Sequence, residues 1–334
     1  MADIDIFSIE PTQLCKDLRG RFIMLYGQAK SGKTSMSVMW PKPLLCAFER
    51  GYNALVGVKP VDINSWADFK KVCRQLKQAK KSDDPKIRDM YETVVIDTVA
   101  IAYAYCEKFV LAREGVNAIG DIAYGKGWGM LKSEFEDTFR ELTQLGYAIV
   151  FIAHSKTKQT EYTDENGDAI EALAPDLPNA PYQIVNRMVD VIGYIGVEYD
   201  VKSGEASRYL YTRGTPRIFA GSRYKYLEPK IELSYKNLVD AIASAMEKEA
   251  NLTGTEVVNG TGTLQNTYSR PFADTMTEAR ELWTKIIEKH GDSGKESMKA
   301  AIHSIFNRDI QLSKATEDQQ DLVELVIEEF KRIM

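Results

Sequence analysis

Cysteine and histidine are scarce in this 334-residue chain, and their scarcity removes two kinds of site at once. Cys15, Cys46, Cys73 and Cys106 are scattered, with no C-x-x-C pair. That spacing argues against a dithiol redox motif and reads as reduced, structural thiols in a reducing compartment. His154, His290 and His303 form no ligand cluster, which argues against structural zinc. No window reaches the ~18 uninterrupted apolar residues of a membrane span, and the acidic N-terminal residues do not make a secretory leader. A cytoplasmic, membrane-free protein is expected. An excess of positive charge is also missing: the net charge is −5, so any polyanion must be met by a local patch. The length suits one large α/β domain plus a small one.

Against these absences stands one strong motif. Residues 27–34 read Gly-Gln-Ala-Lys-Ser-Gly-Lys-Thr, matching G-x-x-x-x-G-K-[ST]. The flanks fit. Arg21–Tyr26 is an apolar run of strand length, and Thr34–Trp40 has a helical start with Pro41 as its stop. A strand, a glycine-bearing loop and a helix start place backbone N–H groups around a polyanion. Gly27, Gln28, Ala29, Lys30, Ser31, Gly32, Lys33, Thr34 and Ser35 are the expected phosphate-binding residues. Lys33 reaches the β- and γ-phosphates of ATP in this reading, and the Thr34 hydroxyl holds Mg²⁺. The plainer alternative is a chance Gly/Lys-rich turn.

Along the chain, short β-type runs alternate with helical stretches. Pro43–Phe48, Val58–Ile63, Thr93–Asp97 and Tyr147–Ala153 read as strands. Ser65-Trp-Ala-Asp68 opens a helix with a capping-box pattern that runs to about Lys80. Thr98–Glu114 and Leu131–Leu145 are helical. The five glycines of residues 115–129 suggest a mobile loop. This alternation predicts an α/β fold with a mainly parallel sheet covered by helices on both faces. Residues 155–186 read as a long polar loop. Val189–Val197 and Arg208–Thr212 look like strands of a β-meander, and Tyr235–Lys248 like a helix. Residues 250–271 read as a flexible linker between a core of 1–249 and a small helical region of 272–334.

Asp97 ends an apolar strand about sixty residues after the motif, where a second Mg²⁺-holding group belongs. An ordinary strand-end carboxylate is the alternative. Thr98 follows it, so no acidic base stands beside it. Glu49, at the end of the second strand, can supply that base by orienting and deprotonating a water at the γ-phosphate. Otherwise it is a surface residue paired with Arg50. His154 ends a later strand, where it would lie near the γ-phosphate or merely cap the core edge.

This set (Gly27–Thr34, Glu49 after strand two, Asp97 followed by Thr98, His154 at a strand end) resembles the RecA-like core ATPases. The chain resembles in particular the phage-encoded, AAA-type, RecA-like ATP-binding proteins, some of them single-domain recombinases or annealing-associated ATPases. Asn64–Phe69 and Phe219–Tyr224 belong to the resemblance, which spans roughly residues 18–248. It implies a RecA-like P-loop NTPase core, ATP and Mg²⁺ as ligands, and a homo-oligomeric ring or filament with ATP at subunit boundaries. A cation from a neighbouring subunit would then complete each site, with Arg213, Arg217 and Arg223 as candidates; the alternative is that they are surface residues of a hairpin.

Single-stranded DNA is the expected polyanionic partner. Residues 202–236 hold eight Lys/Arg against three Glu, interleaved with Tyr209, Tyr211, Phe219, Tyr224 and Tyr226. The same pattern also describes a half-exposed strand. Residues 155–186 occupy the position of a DNA-contacting loop in the resembling proteins, yet hold two Lys against six Asp/Glu. The glycine-rich segment with Arg113, Lys126 and Trp128 is a second candidate surface. Two functions follow: an ATPase of phage DNA recombination or replication, or an ATP-gated loader or scaffold whose C-terminal helices recruit a replication or recombination protein. A compact small-molecule kinase and a two-core helicase fit less well.

Overall fold

The computed structural model describes residues 17–53, 55–200, 204–254 and 271–334. Its described residues fall into two compact units, 17–254 and 271–334.

The larger unit begins with β1 (Phe22–Gly27), α1 (Lys33–Ser37), β2 (Pro43–Ala47), β3 (Pro60–Asp62) and α2 (Trp66–Lys80). Then come α3 (Pro85–Arg88), β4 (Thr93–Asp97), α4 (Val99–Glu114), α5 (Lys126–Gln144), β5 (Ala148–Thr163) and β6 (Ala169–Pro175). It closes with α6 (Asn179–Met188), β7 (Val191–Tyr199), β8 (Ala206–Tyr211), β9 (Gly221–Ser222), β10 (Lys230–Glu232) and α7 (Tyr235–Thr253). One sheet runs in the order β10-β8-β7-β1-β5-β4-β2-β3. From β7 to β3 every pairing is parallel; β8 and β10 are antiparallel additions. The strand β5 lies between β1 and β4, so the loop after β1 and Asp97 sit two strands apart.

The parallel strands alternate apolar residues to both faces, as burial on two sides requires. Met24, Tyr26, Val94, Ile96 and Phe151 join Trp66, Phe69, Phe135 and Phe139 under α2, α4 and α5. Ile23, Leu25, Val95, Val150 and Ile152 join Met36, Trp40, Leu238 and Ile242 under α1 and α7. Ser65 caps α2, its hydroxyl accepting from the Asp68 N–H at 3.1 Å.

Several expectations change. The helix after the phosphate-binding motif stops at Ser37 rather than Trp40. The glycine-rich segment is not an open loop. Two 3-10 turns, Ile119–Asp121 and Ala123–Gly125, lead into α5 at Lys126. Gly127 is needed for close packing, because a Cβ there would run into the Ile119 carbonyl. The long polar loop is mostly regular structure. β5 continues to Thr163 and pairs antiparallel with β6, and α6 follows. The turn is closed by Asp164, whose carboxylate accepts from the N–H groups of Asn166 and Asp168 at 2.9 and 3.0 Å. Residues 157–171 of this hairpin are largely exposed and carry no apolar period, whereas Ala172 and Ala174 of β6 are buried. β7 is the meander strand expected, antiparallel to β8, and its other edge pairs parallel with β1, which buries it from Val191 to Gly196. α7 runs to Thr253, so the expected linker starts inside its last turn; residues 255–270 lie outside the described residues.

The smaller unit is helical. α8 (Phe272–Phe306) is broken at Gly291 (φ 58°) and packs with α9 (Gln320–Ile333). Ile286, Met298, Val323, Val326 and Phe330 form its core. Among the described residues, no helix is long and apolar enough to cross a membrane, and no group of three or more Cys, His, Asp or Glu could hold a metal. Cys46, Cys73 and Cys106 are buried and free; Cys15 lies outside the described residues.

Candidate nucleotide-binding site

The site forms where β1, β2 and β4 end and β5 passes them; His154 lies within β5, not at its end as expected, because the strand runs on to pair with β6. β1 stops at Gly27 because the chain must turn sharply there. A Cβ at Gly27 would lie 2.7 Å from the Ile195 carbonyl oxygen and 2.9 Å from Ser31 Oγ. Lys30 (φ 65°) and Gly32 (φ 101°) adopt left-handed backbone, which folds residues 28–32 into a loop. Gln28, Ala29, Lys30 and Ser35 are exposed along it, whereas Ser31 and Lys33 are buried.

Lys33 Nζ donates to the Gly27 and Gln28 carbonyls at 3.0 and 2.7 Å. Burial lowers its pKa, against the opposing pull of Asp97 and Glu49. The Ser31 hydroxyl is buried without a hydrogen-bond partner. An unsatisfied buried hydroxyl on a phosphate-type loop is what a bound oxyanion would satisfy.

Asp97 ends β4, two strands from β1, and its carboxylate accepts from Thr34 Oγ1 at 2.8 Å. Burial raises the Asp97 pKa; Thr34, Lys33 and His154 pull it down, and Glu49 adds to the rise. The Asp97 carbonyl accepts from the N–H groups of Phe48 and Glu49 at 2.7 and 3.0 Å, fixing the end of β2 beside β4. His154 pairs with Gly27 in the β1–β5 register. Its Nε2 lies 3.4 Å from Glu49 Oε2. Thus Thr34, Asp97, Glu49 and His154 gather on one side of the loop, although 120 residues separate the first from the last. A hydroxyl and a carboxylate side by side suit Mg²⁺, which takes one or two protein oxygens and keeps several waters.

The arginines behave differently. Among the described residues, no hydrogen bond or ion pair joins Arg213, Arg217 or Arg223 to Lys33, Glu49, Asp97 or His154. Arg213 donates to the Lys225 and Leu227 carbonyls, each at 3.3 Å. Arg223 pairs with Asp190 at 3.3 Å and donates to the Arg187 carbonyl. Arg217 is exposed, with no side-chain partner among the described residues. Sequence reading counted Arg208 only as one cation among eight. Strand pairing places it against the loop: a Cβ on Gly32 would lie 3.4 Å from Arg208 Cδ. No local signal reveals this, because the contact depends on the β8–β7–β1 order.

A family model described as an AAA domain matches residues 19–224. YorG, an SPbeta prophage-derived uncharacterized protein of Bacillus subtilis (strain 168), is 29% identical over 339 residues, covering 99% of this chain and 99% of the relative. A KaiC-like protein of the hyperthermophilic archaeon Pyrococcus horikoshii OT3 is similar at 13% identity and a TM-score of 0.35, over 66% of this chain and 88% of that one. That last likeness is too loose to carry an argument. The family model spans more than half of the chain and contains the loop, its threonine and the strand-end carboxylate, so this protein belongs to the AAA domain family of P-loop NTPases.

Proposed function

We propose that this chain is an oligomeric ATP hydrolase of phage DNA recombination or replication, working on single-stranded DNA in the host cytoplasm. The observation that carries the hydrolytic part is the Glu49–His154 pair, facing Asp97 and Thr34 across the strand ends. Glu49 is half-exposed and free to take a proton from water as general base. His154 holds that carboxylate and reads the terminal phosphate. Lys33 leaves the Gly27 and Gln28 carbonyls to meet the β- and γ-phosphates. Thr34 and Asp97 would hold Mg²⁺, which would supply charge neutralisation at the phosphate oxygens. Arg217, exposed and unengaged, is the better of the candidates for a cation donated to a neighbouring subunit.

Support for DNA shifts from the basic-aromatic segment to the glycine-rich one. In the former, Lys230 is paired with Glu198 at 2.6 Å, and Arg213 and Arg223 are held by their own chain. In the latter, Tyr124 is 95% and Trp128 54% exposed, with exposed Lys126 between them. Bases stack on exposed rings while cations meet phosphates.

The loader or scaffold reading draws on one observation. The helical unit has its own core and an apolar groove of about 900 Å³, lined by Met276, Trp283, Ile302, Ile310 and Leu312.

The test is ATP turnover without nucleic acid, with single strands and with duplex, using Lys33→Ala as control. Turnover that single strands stimulate and the control abolishes is expected. Lys33-dependent turnover indifferent to DNA would favour the scaffold reading; no ATP turnover at all would overturn the hydrolase.

A further inference from the structure

The catalytic groups occupy one flank of the phosphate loop only. Asp97 and His154 stand on β4 and β5 and Glu49 follows β2, so the terminal phosphate and its metal belong on that flank. A nucleotide held that way must send its nucleoside to the opposite flank, toward β7 and β8.

That flank is built from residues of one sheet face. Ile195 and Leu210 are paired across β7 and β8 and are buried with Met36 of α1. Residues two and four further along β7 share their face. These are Val197, paired with Arg208, and Tyr199, paired with Ala206. A Cβ on Gly32 would lie 3.6 Å from Arg208 Nε and 3.8 Å from Leu233 Cδ2. The Leu233 N–H donates to the Arg208 carbonyl at 3.0 Å, which continues the β8–β10 pairing to this level. Val197 and Leu233 are half-buried and apolar. Tyr199 is 71% exposed beside them. Arg208 is exposed, and it has no carboxylate partner among the described residues.

We infer that Tyr199, Arg208 and the Val197–Leu233 shelf form the nucleobase subsite of this protein, with the purine ring of ATP packed between the Tyr199 ring and the Arg208 guanidinium. The inference rests on the nucleotide-binding reading of the loop above and adds the residues that distinguish a nucleotide from a bare polyphosphate. A planar, delocalised guanidinium stacks on aromatic faces and offers fixed donors to ring nitrogens, which lysine cannot do. Gly32 is glycine because of its φ of 101°, and at this position Arg208 lies at ordinary contact distance beside the loop.

The test is calorimetric binding of Mg²⁺-ATP and of Mg²⁺-tripolyphosphate to the full chain. Wild type, Tyr199→Ala, Arg208→Ala, Arg208→Lys and Lys33→Ala are compared. Wild type is expected to prefer ATP. Tyr199→Ala and Arg208→Ala should each lose about tenfold in ATP affinity, the scale of one base–aromatic stack, while tripolyphosphate binding stays within about twofold. Arg208→Lys should resemble Arg208→Ala, because charge alone does not stack. Equal losses for both ligands would make Arg208 a phosphate ligand or a prop of the loop and overturn the proposal. ATP affinity unchanged in both alanine variants would overturn it too. Lys33→Ala should weaken both ligands. If wild type binds neither, the nucleotide reading itself falls; if wild type and Lys33→Ala behave as expected and only the β7–β8 variants do not, the base subsite alone falls.

Discussion

The two flanks of the phosphate loop are made in different ways. On one, β4 ends at Asp97, Glu49 follows the end of β2, and His154 lies on β5 where that strand passes the end of β1 and runs on to Thr163. On the other, antiparallel strands present a half-buried apolar shelf with an exposed tyrosine and arginine. Parallel strands share a direction, so their C-terminal ends converge on one edge, and polar side chains placed there meet regardless of sequence distance. β7 and β8 contribute from the last residues of one strand and the first of the next, through alternation, and their contribution is set by register. On the function proposed above, the first flank would serve bond breaking and the second recognition.

The sharpest way to break this division is to find a catalytic group that belongs to neither flank, such as Arg217, whose carbonyl accepts from the Leu173 N–H of β6 at 2.9 Å. Arg217→Ala is expected to lower turnover by ~10³ or more, as for other cations supplied between subunits. Mixing it with Lys33→Ala should restore part of the activity, because each variant carries what the other lacks. Arg213→Ala should do less, its guanidinium being held by its own chain. Full activity of Arg217→Ala, or no rescue at any ratio, would leave all chemistry on the parallel flank.

A smaller effect is expected from Glu49→Gln. Steady-state turnover should fall by ~10²–10³ with ATP affinity retained, since a general base acts on the chemical step. Unchanged turnover would remove Glu49 as base.

The smallest effect is on stability. Burial raises the folded-state pKa of Asp97, so ionisation of this carboxylate disfavours the folded protein. The penalty is fully present above the raised pKa and disappears once pH falls below the ordinary carboxylate value, where both states are protonated. Asp97→Asn should accordingly melt higher than wild type at neutral pH without Mg²⁺, and the gap should close on acidification, as read by thermal unfolding. A gap that widens in acid would contradict the desolvated carboxylate.

The β1 strand, the loop and the strand ending at Asp97 were legible, because an apolar run ending in a special residue is a local pattern. The Ser65 cap was legible for the same reason. The hairpin of β5 and β6 was not: its exposed Lys, Thr, Gln and Glu carry no apolar alternation, and only the Asp164 turn hinted at it. The glycines near Gly127 were misread, since the same residue that allows mobility also allows the closest packing. The basic-aromatic segment looks uniform in sequence, yet folding pairs Lys230 with Glu198 and Arg223 with Asp190 and leaves the Arg217 side chain without a partner among the described residues.

By itself, the sequence determined the phosphate loop, the strand-end carboxylates and the α/β alternation, since each depends on residues adjacent in the chain or on a short period. Only the tertiary structure decided that Glu49 faces His154, and that Arg208 lies on Gly32 with Tyr199 on the same face. Those neighbours are set by strand order and register, which arise from the packing of the whole sheet and leave no mark on any one segment.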